Sequence, residues 1–354
     1  MSTSQHAGAG EIILEARGLS KHYPVKGGLF HTTRAQLRAV DDVSFHVYRG
    51  ETLGVVGESG CGKSTLGRIL LRLEDPTSGE VVFEGDDIVR HDSKRLHALR
   101  RDMQFIFQDP YSSMNPKMTV RDIVMEPLDN YRKDVSVQAR EELAGDLLEM
   151  VGLSRDALRR YPHEFSGGQR QRIVIARGIA LNPKFVVCDE VVSALDVSVQ
   201  AQVINLLADL KRRLSLTYLF VSHDLRVIRH VSDRVMVLYL GQVMEVGSSH
   251  ELFSAPLHPY TKSLIGSISK GDPRNREERV VLKGEIPSPL SAPKGCPFST
   301  RCPMATEKCR TEKPPLEAKP PLEAKSPHPG TEPGGAGAAL GRRGDDRLVA
   351  CWYA

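Results

Sequence analysis

No stretch of about eighteen apolar residues occurs in the 354-residue chain, so no membrane-spanning helix is expected. Met1 to Glu11 has no charged region followed by an apolar one, and the chain is not expected to be secreted. Neither sign of charge dominates: 48 basic and 44 acidic side chains leave a net +4. A nucleic-acid binder concentrates a larger basic surplus, so no nucleic-acid partner is expected. The tight cysteine pairs of a zinc finger are also missing. What remains is a globular protein: 40% of residues are hydrophobic, enough for a filled core. At roughly 150 residues per domain, the length suggests two domains.

The most informative stretch is Gly57-Glu58-Ser59-Gly60-Cys61-Gly62-Lys63-Ser64-Thr65, which fits the phosphate-loop pattern G-x-x-x-x-G-K-[ST]. Thr52 to Val56 reads as a short buried strand before it. After it, Leu66, Ile69, Leu70 and Leu73 recur at helical spacing. Glycines let successive backbone N–H groups point inward at phosphate oxygens, and the new helix adds its positive end. Lys63 would reach the β- and γ-phosphates and the Ser64 hydroxyl would ligate Mg²⁺, so the expected ligand is a nucleoside triphosphate. The bland alternative, a glycine-rich turn matching by accident, is weakened by the flanking strand and helix.

Short alternations from Glu11 to Phe45 predict a β-rich opening, with Lys26 to Arg38 as an exposed excursion. Tyr23 within it has two readings, stacking on a base or ordinary packing. Met103 to Phe107 predicts a buried strand that places Gln108 at its end. Between Val120 and Tyr161, Ala139, Leu143, Leu147 and Val151 recur every four residues and predict a helical insert. Ser166-Gly167-Gly168-Gln169 opens a further helix. Phe185 to Cys188 is a continuous apolar run ending in Asp189-Glu190, and Tyr218 to Val221 ends at Ser222-His223-Asp224. Strands alternating with helices predict a three-layer α/β core with a mostly parallel sheet, closed by a hairpin over Val235 to Val246. Beyond Ser269, Pro, Gly, Lys and Glu dominate, and disorder is expected over 313–346.

The polar residues at these strand ends suit hydrolysis of ATP by in-line attack of water. Asp189 would hold the Mg²⁺ shell and Glu190 would accept a proton from the water, while Gln108 and His223 would position the water and the γ-phosphate. Singly, each has a plainer reading: an acidic pair as helix cap or solvated edge, a lone histidine as structural.

Taken in order, Tyr23, the phosphate loop, Gln108, Ser166-Gly167-Gly168-Gln169, Asp189-Glu190, Asp196 and His223 closely resemble the nucleotide-binding subunit of ABC transporters over residues 11–270. The resemblance implies an ABC-type ATPase core with a mixed, mostly parallel sheet, an N-terminal antiparallel β subdomain and an α-helical subdomain at about 109–175. It also implies Gln108 as a Mg²⁺ contact, and a head-to-tail dimer in which Ser166, Gly167, Gly168, Gln169 and Asp196 of one subunit close on the ATP of the other. In that family the stretch at Asp109 to Pro116 takes up contacts with a membrane subunit.

Narrower similarities lie in Lys21 to Lys26, Ser113-Met114-Asn115-Pro116, Leu257-His258-Pro259-Tyr260-Thr261 and Gly284 to Pro289, which resemble the oligopeptide/dipeptide importer ATPases. The opening insert resembles the second of their two paired ATPase subunits. That implies a heterodimer with another ATPase beneath two permease subunits, fed by an extracytoplasmic peptide-binding protein, and a place on the cytoplasmic face of the membrane. Nickel-type importers share these features. A soluble ABC ATPase of DNA or ribosomes fits less well, for such chains carry a long coiled-coil insertion or two cassettes. A regulator that does not hydrolyse is disfavoured by Glu190 and His223. The chain departs from the pattern at Phe165, where Leu is usual, and at Val191, where Pro usually follows the catalytic Glu. Val191 is expected to leave Glu190 more loosely placed.

Cys296, Cys302, Cys309 and Cys351 fall in the C-terminal extension, residues 271–354. Four clustered thiols suggest a metal more than disulfides in a cytosolic chain, and thiolate ligation of an iron–sulfur cluster tolerates their wide spacing. Related peptide-importer ATPases carry a [4Fe-4S] cluster here; bare thiols without metal are the alternative.

Overall fold

The computed structural model describes residues 10–27, 32–267, 287–288, 290, 293–320 and 347–354. Ile12–Gly27 (β1) and Thr32–Tyr48 (β2) form one long antiparallel hairpin, from Ile12 opposite Tyr48 to Gly27 opposite Thr32. The expected excursion after Lys26 is therefore partly the hairpin's distal arm, where Pro24 pairs with Gln36 and Val25 with Ala35. Its polar composition concealed the pairing, because ladder hydrogen bonds come from the backbone and need no apolar side chain.

Thr52–Val56 (β3) leads through the phosphate loop into Lys63–Leu70 (α1). Ser78–Phe83 (β4) then pairs with β1, and Asp86–Asp87 (β5) completes a four-stranded antiparallel sheet of order β2-β1-β4-β5. Ser93–Leu99 (α2), capped by Asp92, precedes Met103–Ile106 (β6). A block of helices follows: Pro110–Ser113 (α3), Val120–Tyr131 (α4), Val137–Met150 (α5) and Gly167–Ile179 (α6). The start of α4 is fixed by a capping box in which Thr119 and Asp122 bond each other's backbone N–H groups.

Phe185–Asp189 (β7), Val197–Leu214 (α7), Thr217–Val221 (β8), Leu225–Val231 (α8), Arg234–Tyr239 (β9) and Gln242–Ser248 (β10) complete the core. Strands β9, β3, β8, β7 and β6 lie parallel in that order. Their side chains alternate between two apolar clusters: Val186, Cys188, Tyr218 and Phe220 face the helical block, while Phe185, Val187, Leu219 and Val221 pack towards α1 and the antiparallel sheet. All five residues of β3, β7 and β8 are buried, as continuous apolar runs require of central parallel strands.

Ser249–Ser254 (α9) and Pro259–Gly266 (α10) follow β10. The late chain then returns to the core sheet. After Glu307–Thr311 (α11), Glu317–Ala318 (β11) and Leu348–Val349 (β12) extend the sheet beyond β10, giving eight strands in the order β11-β12-β10-β9-β3-β8-β7-β6. Of the segment expected to be disordered, residues 313–320 carry β11, and 321–346 lie outside the described residues. Arg347 and Glu245 clamp the junction as an ion pair at 3.4 Å, with side chains 3% and 1% exposed.

Candidate active site

Two glycines shape the phosphate loop. Gly57 has φ +157°, and a Cβ there would lie 2.2 Å from the Leu238 carbonyl oxygen; Gly62 has φ +103°, with a Cβ 2.0 Å from that of Ala39. The loop is thus pressed between β2 and β9, and only glycine allows that approach. Ser59 and Gly60 form its exposed crest, while Gly62, Ser64 and Thr65 are half-buried. Lys63, only 5% exposed, sends its ammonium back into the loop, where it donates to the carbonyls of Gly57 at 2.9 Å and Glu58 at 3.0 Å. Burial pushes the Cys61 thiol up, which makes this residue a packing group in the loop.

The Ser64 hydroxyl donates to Asp189 Oδ1 at 2.9 Å, joining the start of α1 to the end of β7. Burial pushes the Asp189 carboxyl up, the Ser64 hydroxyl draws it down, and neighbouring Glu190 adds a further rise. A hydroxyl beside a buried carboxylate is a donor set that an oxygen-preferring divalent cation takes.

Glu190 gathers three strand ends. Its carboxylate accepts from Gln108 Nε2 at 2.8 Å, two residues past β6, and lies 3.3 Å from His223 Nδ1, two residues past β8. Its backbone N–H donates to the Val221 carbonyl at 2.9 Å, and its φ is +47°. The adjacency of β6, β7 and β8 makes this convergence, since each parallel strand ends at the same sheet edge. Val191 is buried, and Glu190 makes contacts through both its side chain and its backbone. Tyr23 is half-buried; its hydroxyl donates to Glu74, beyond α1, with Thr65 beside it.

The signature residues are arranged as a helix cap. Ser166 Oγ accepts from the Gln169 N–H at 3.4 Å and Gln169 Oε1 from the Ser166 N–H at 3.0 Å. A Cβ at Gly168 would lie 2.4 Å from Val199 Cγ1, so the glycine lets α6 approach α7. Asp196 begins α7 without a side-chain cap bond. Among the described residues, no hydrogen bond joins this group to the phosphate loop of the same chain.

Two partners of the loop come from far along the chain: Tyr260, from the motif at 257–261, whose role in the loop the sequence did not reveal, and Arg301, which has no local sequence signal. Tyr260 Oη accepts the Glu58 N–H at 3.0 Å, and Arg301 Nη1 lies 2.8 Å from Glu58 Oε2.

Comparison with known proteins bears directly on this geometry. The ABC transporter family profile matches residues 40–193, and the oligopeptide/dipeptide transporter C-terminal region matches residues 244–309. The chain is 51% identical over 307 residues to the oligopeptide transport ATP-binding protein AppF of Bacillus subtilis. It is 52% identical over 305 residues to the dipeptide transport ATP-binding protein DppF of Haemophilus influenzae. Each alignment covers 86% of this chain and 93% of the relative. The chain belongs to the ATP-binding proteins of ABC transporters. Its fold agrees with the dimeric, post-hydrolysis ATP-binding cassette MJ0796 bound to ADP and Pi, at TM-score 0.59 and 29% identity over 67% of this chain and 98% of that one. It also agrees with cbiO1 of Clostridium perfringens, part of the ABC transporter complex cbiONQ, at TM-score 0.60 and 23% identity over 69% and 92%. As an ABC ATPase the chain binds and hydrolyses ATP.

The iron–sulfur expectation for this ABC ATPase is not supported. Cys296, Cys302, Cys309 and Cys351 do line one pocket with Phe298, but its cavity is about 20 Å³, room for little more than one water. Burial pushes the Cys296 thiol up to about 11, with the neighbouring Cys302, Cys309 and Cys351 adding to the rise. Among the described residues, no three His, Cys, Asp or Glu side chains are grouped as a metal ion requires.

Proposed function

We propose that this ABC ATPase powers the import of di- or oligopeptides as the ATP-hydrolysing subunit of a membrane transporter. The observation that carries the reading is the match over residues 244–309 to the oligopeptide/dipeptide transporter region, joined to relatives over 50% identical that are named for peptide transport. The chain would act at the cytoplasmic face of the membrane through permease subunits; none of its described helices is long and apolar enough to cross the membrane itself. The other partners are an extracytoplasmic binding protein and a second ATPase subunit, with which it forms a heterodimer.

Within the site, the loop from Gly57 to Thr65 holds the phosphates, Lys63 carries the positive charge to them, and Tyr23 meets the base. Ser64, Asp189 and Gln108 are the residues that would hold Mg²⁺, which supplies charge neutralisation on the phosphates when bound. Glu190 is the base that accepts a proton from the attacking water, with Gln108 and His223 orienting the reactants. Because the signature of one chain makes no bond to its own loop, Ser166, Gly167, Gly168, Gln169 and Asp196 serve the partner's nucleotide. Nothing in this function draws on an iron–sulfur cluster.

Affinity capture from detergent-solubilised membranes tests it. Two permease subunits, a second ATPase and hydrolysis stimulated by peptide are the expected result. Stimulation by nickel or another small solute, with no response to peptide, would replace the cargo; recovery with ribosomes or DNA would replace the reading altogether.

A further inference from the structure

The phosphate loop is tied to the C-terminal region by one arginine. Arg301 Nη1 reaches both carboxylate oxygens of Glu58, at 3.1 and 2.8 Å, across 243 residues of sequence. The same nitrogen lies 3.4 Å from the Tyr239 hydroxyl. Its side chain is 8% exposed and that of Glu58 23%, so the pair is largely withdrawn from solvent.

Glu58 is fixed at every polar group it has. Its N–H donates to Tyr260 Oη, its carbonyl accepts from the Lys63 ammonium at 3.0 Å and from the Cys61 N–H at 3.2 Å, and its carboxylate faces Arg301. The support behind Arg301 is hydrogen-bonded and packed on the core. The Arg301 and Cys302 N–H groups both donate to the Phe298 carbonyl, and the Phe298 ring packs on Tyr239 and Tyr260 at centroid distances of 5.4 and 5.3 Å. Cys296, at the other side of this turn, donates its N–H to the Cys309 carbonyl.

We infer that Arg301 is a positioning residue for nucleotide binding: it neutralises Glu58 and holds the phosphate loop in the shape that receives ATP, so the C-terminal region sets the affinity of the site. This rests on the reading of the loop as the ATP site. The loop binds anions through backbone N–H groups and Lys63. A free carboxylate at Glu58 opposes that twice, by repelling phosphate and by offering Lys63 a competing partner. Arg301 removes both effects by pairing with that carboxylate. The same contact offsets part of the cost of burying Arg301, whose Nε is left without a hydrogen-bond partner among the described residues. Such a pair is costly to break from one side and cheap to remove from both.

The test is MgATP binding by calorimetry, with steady-state hydrolysis, on the full chain and its variants. Arg301→Ala is expected to weaken MgATP binding about tenfold and to raise KM, with the loss falling on KM rather than kcat. Adding Glu58→Gln to Arg301→Ala is expected to recover most of that loss, because the stranded charge is gone. Arg301→Gln, which keeps the side-chain bulk, takes the place of the alanine variant if the latter does not fold. Equal affinity in wild type and Arg301 variants overturns the inference, as does a loss that Glu58→Gln fails to restore, which would make Arg301 a packing residue only. Failure of the wild type to bind MgATP would instead strike at the assignment of the loop.

Discussion

Glu190 receives Gln108 from one neighbouring strand end and His223 from the other, an arrangement that needs three separate parts of the chain to arrive together. With this group as general base, Glu190→Gln is expected to lower kcat by about two to four orders of magnitude while MgATP stays bound, measured by phosphate release beside equilibrium binding. Undiminished turnover would remove the base from Glu190. His258 offers a separate prediction. Burial pushes its imidazole down to about 3, and its Nδ1 accepts the Tyr260 N–H at the start of α10. The folded chain keeps this ring neutral while the unfolded chain protonates it near 6.5, so its contribution is intact above 6.5 and declines as pH falls towards the folded value. Between pH 6.5 and 5, His258→Asn should flatten the acid loss of stability by about 1 kcal/mol per pH unit on average, measured by denaturant unfolding of both proteins.

At the scale of elements, the late strands β11 and β12 complete a sheet begun before the phosphate loop. Glu245 on β10 holds that junction, accepting the N–H groups of Leu257 and His258 at 2.9 Å each and facing Arg347. Arg347→Ala leaves a fully buried carboxylate with its two backbone N–H partners but without a counter-charge and is expected to cost on the order of 3 kcal/mol, read from the urea midpoint at unchanged m-value. A loss under about 0.5 kcal/mol would show the pair to be dispensable. The strands that carry the site were legible because each has a local mark: an apolar run, then Gly57, Gln108, Asp189-Glu190 or His223. Strand β12 has two residues and a polar approach, so nothing local announced it. The distal hairpin was missed for the converse reason, since its pairing is carried by backbone under polar side chains.

For the whole molecule, the sequence made the ATPase core readable but not the connection between its ends. Arg301 meets Glu58 from a C-terminal turn whose Phe298 packs on Tyr239 and Tyr260, across 243 residues of sequence. No periodicity or spacing encodes a contact of that range. The same limit applies to the signature: its self-capped geometry is plain in one chain, but its proposed use on a partner's nucleotide would depend on a second subunit. On the proposed heterodimer, the Glu190→Gln chain mixed with the proposed second ATPase subunit in MgATP is expected to sediment as a dimer that falls apart when nucleotide is removed. A monomer under both conditions would contradict the shared site.

The central claim is that ATP hydrolysis at Glu190 drives peptide entry. Uptake of labelled di- and oligopeptides by cells carrying either the native chain or Glu190→Gln in its place measures this directly. A fall to the level of cells lacking the chain, with the mutant still recovered at the membrane, is the predicted result. Peptide uptake that persists unchanged in both the mutant and the chain-less cells would contradict it.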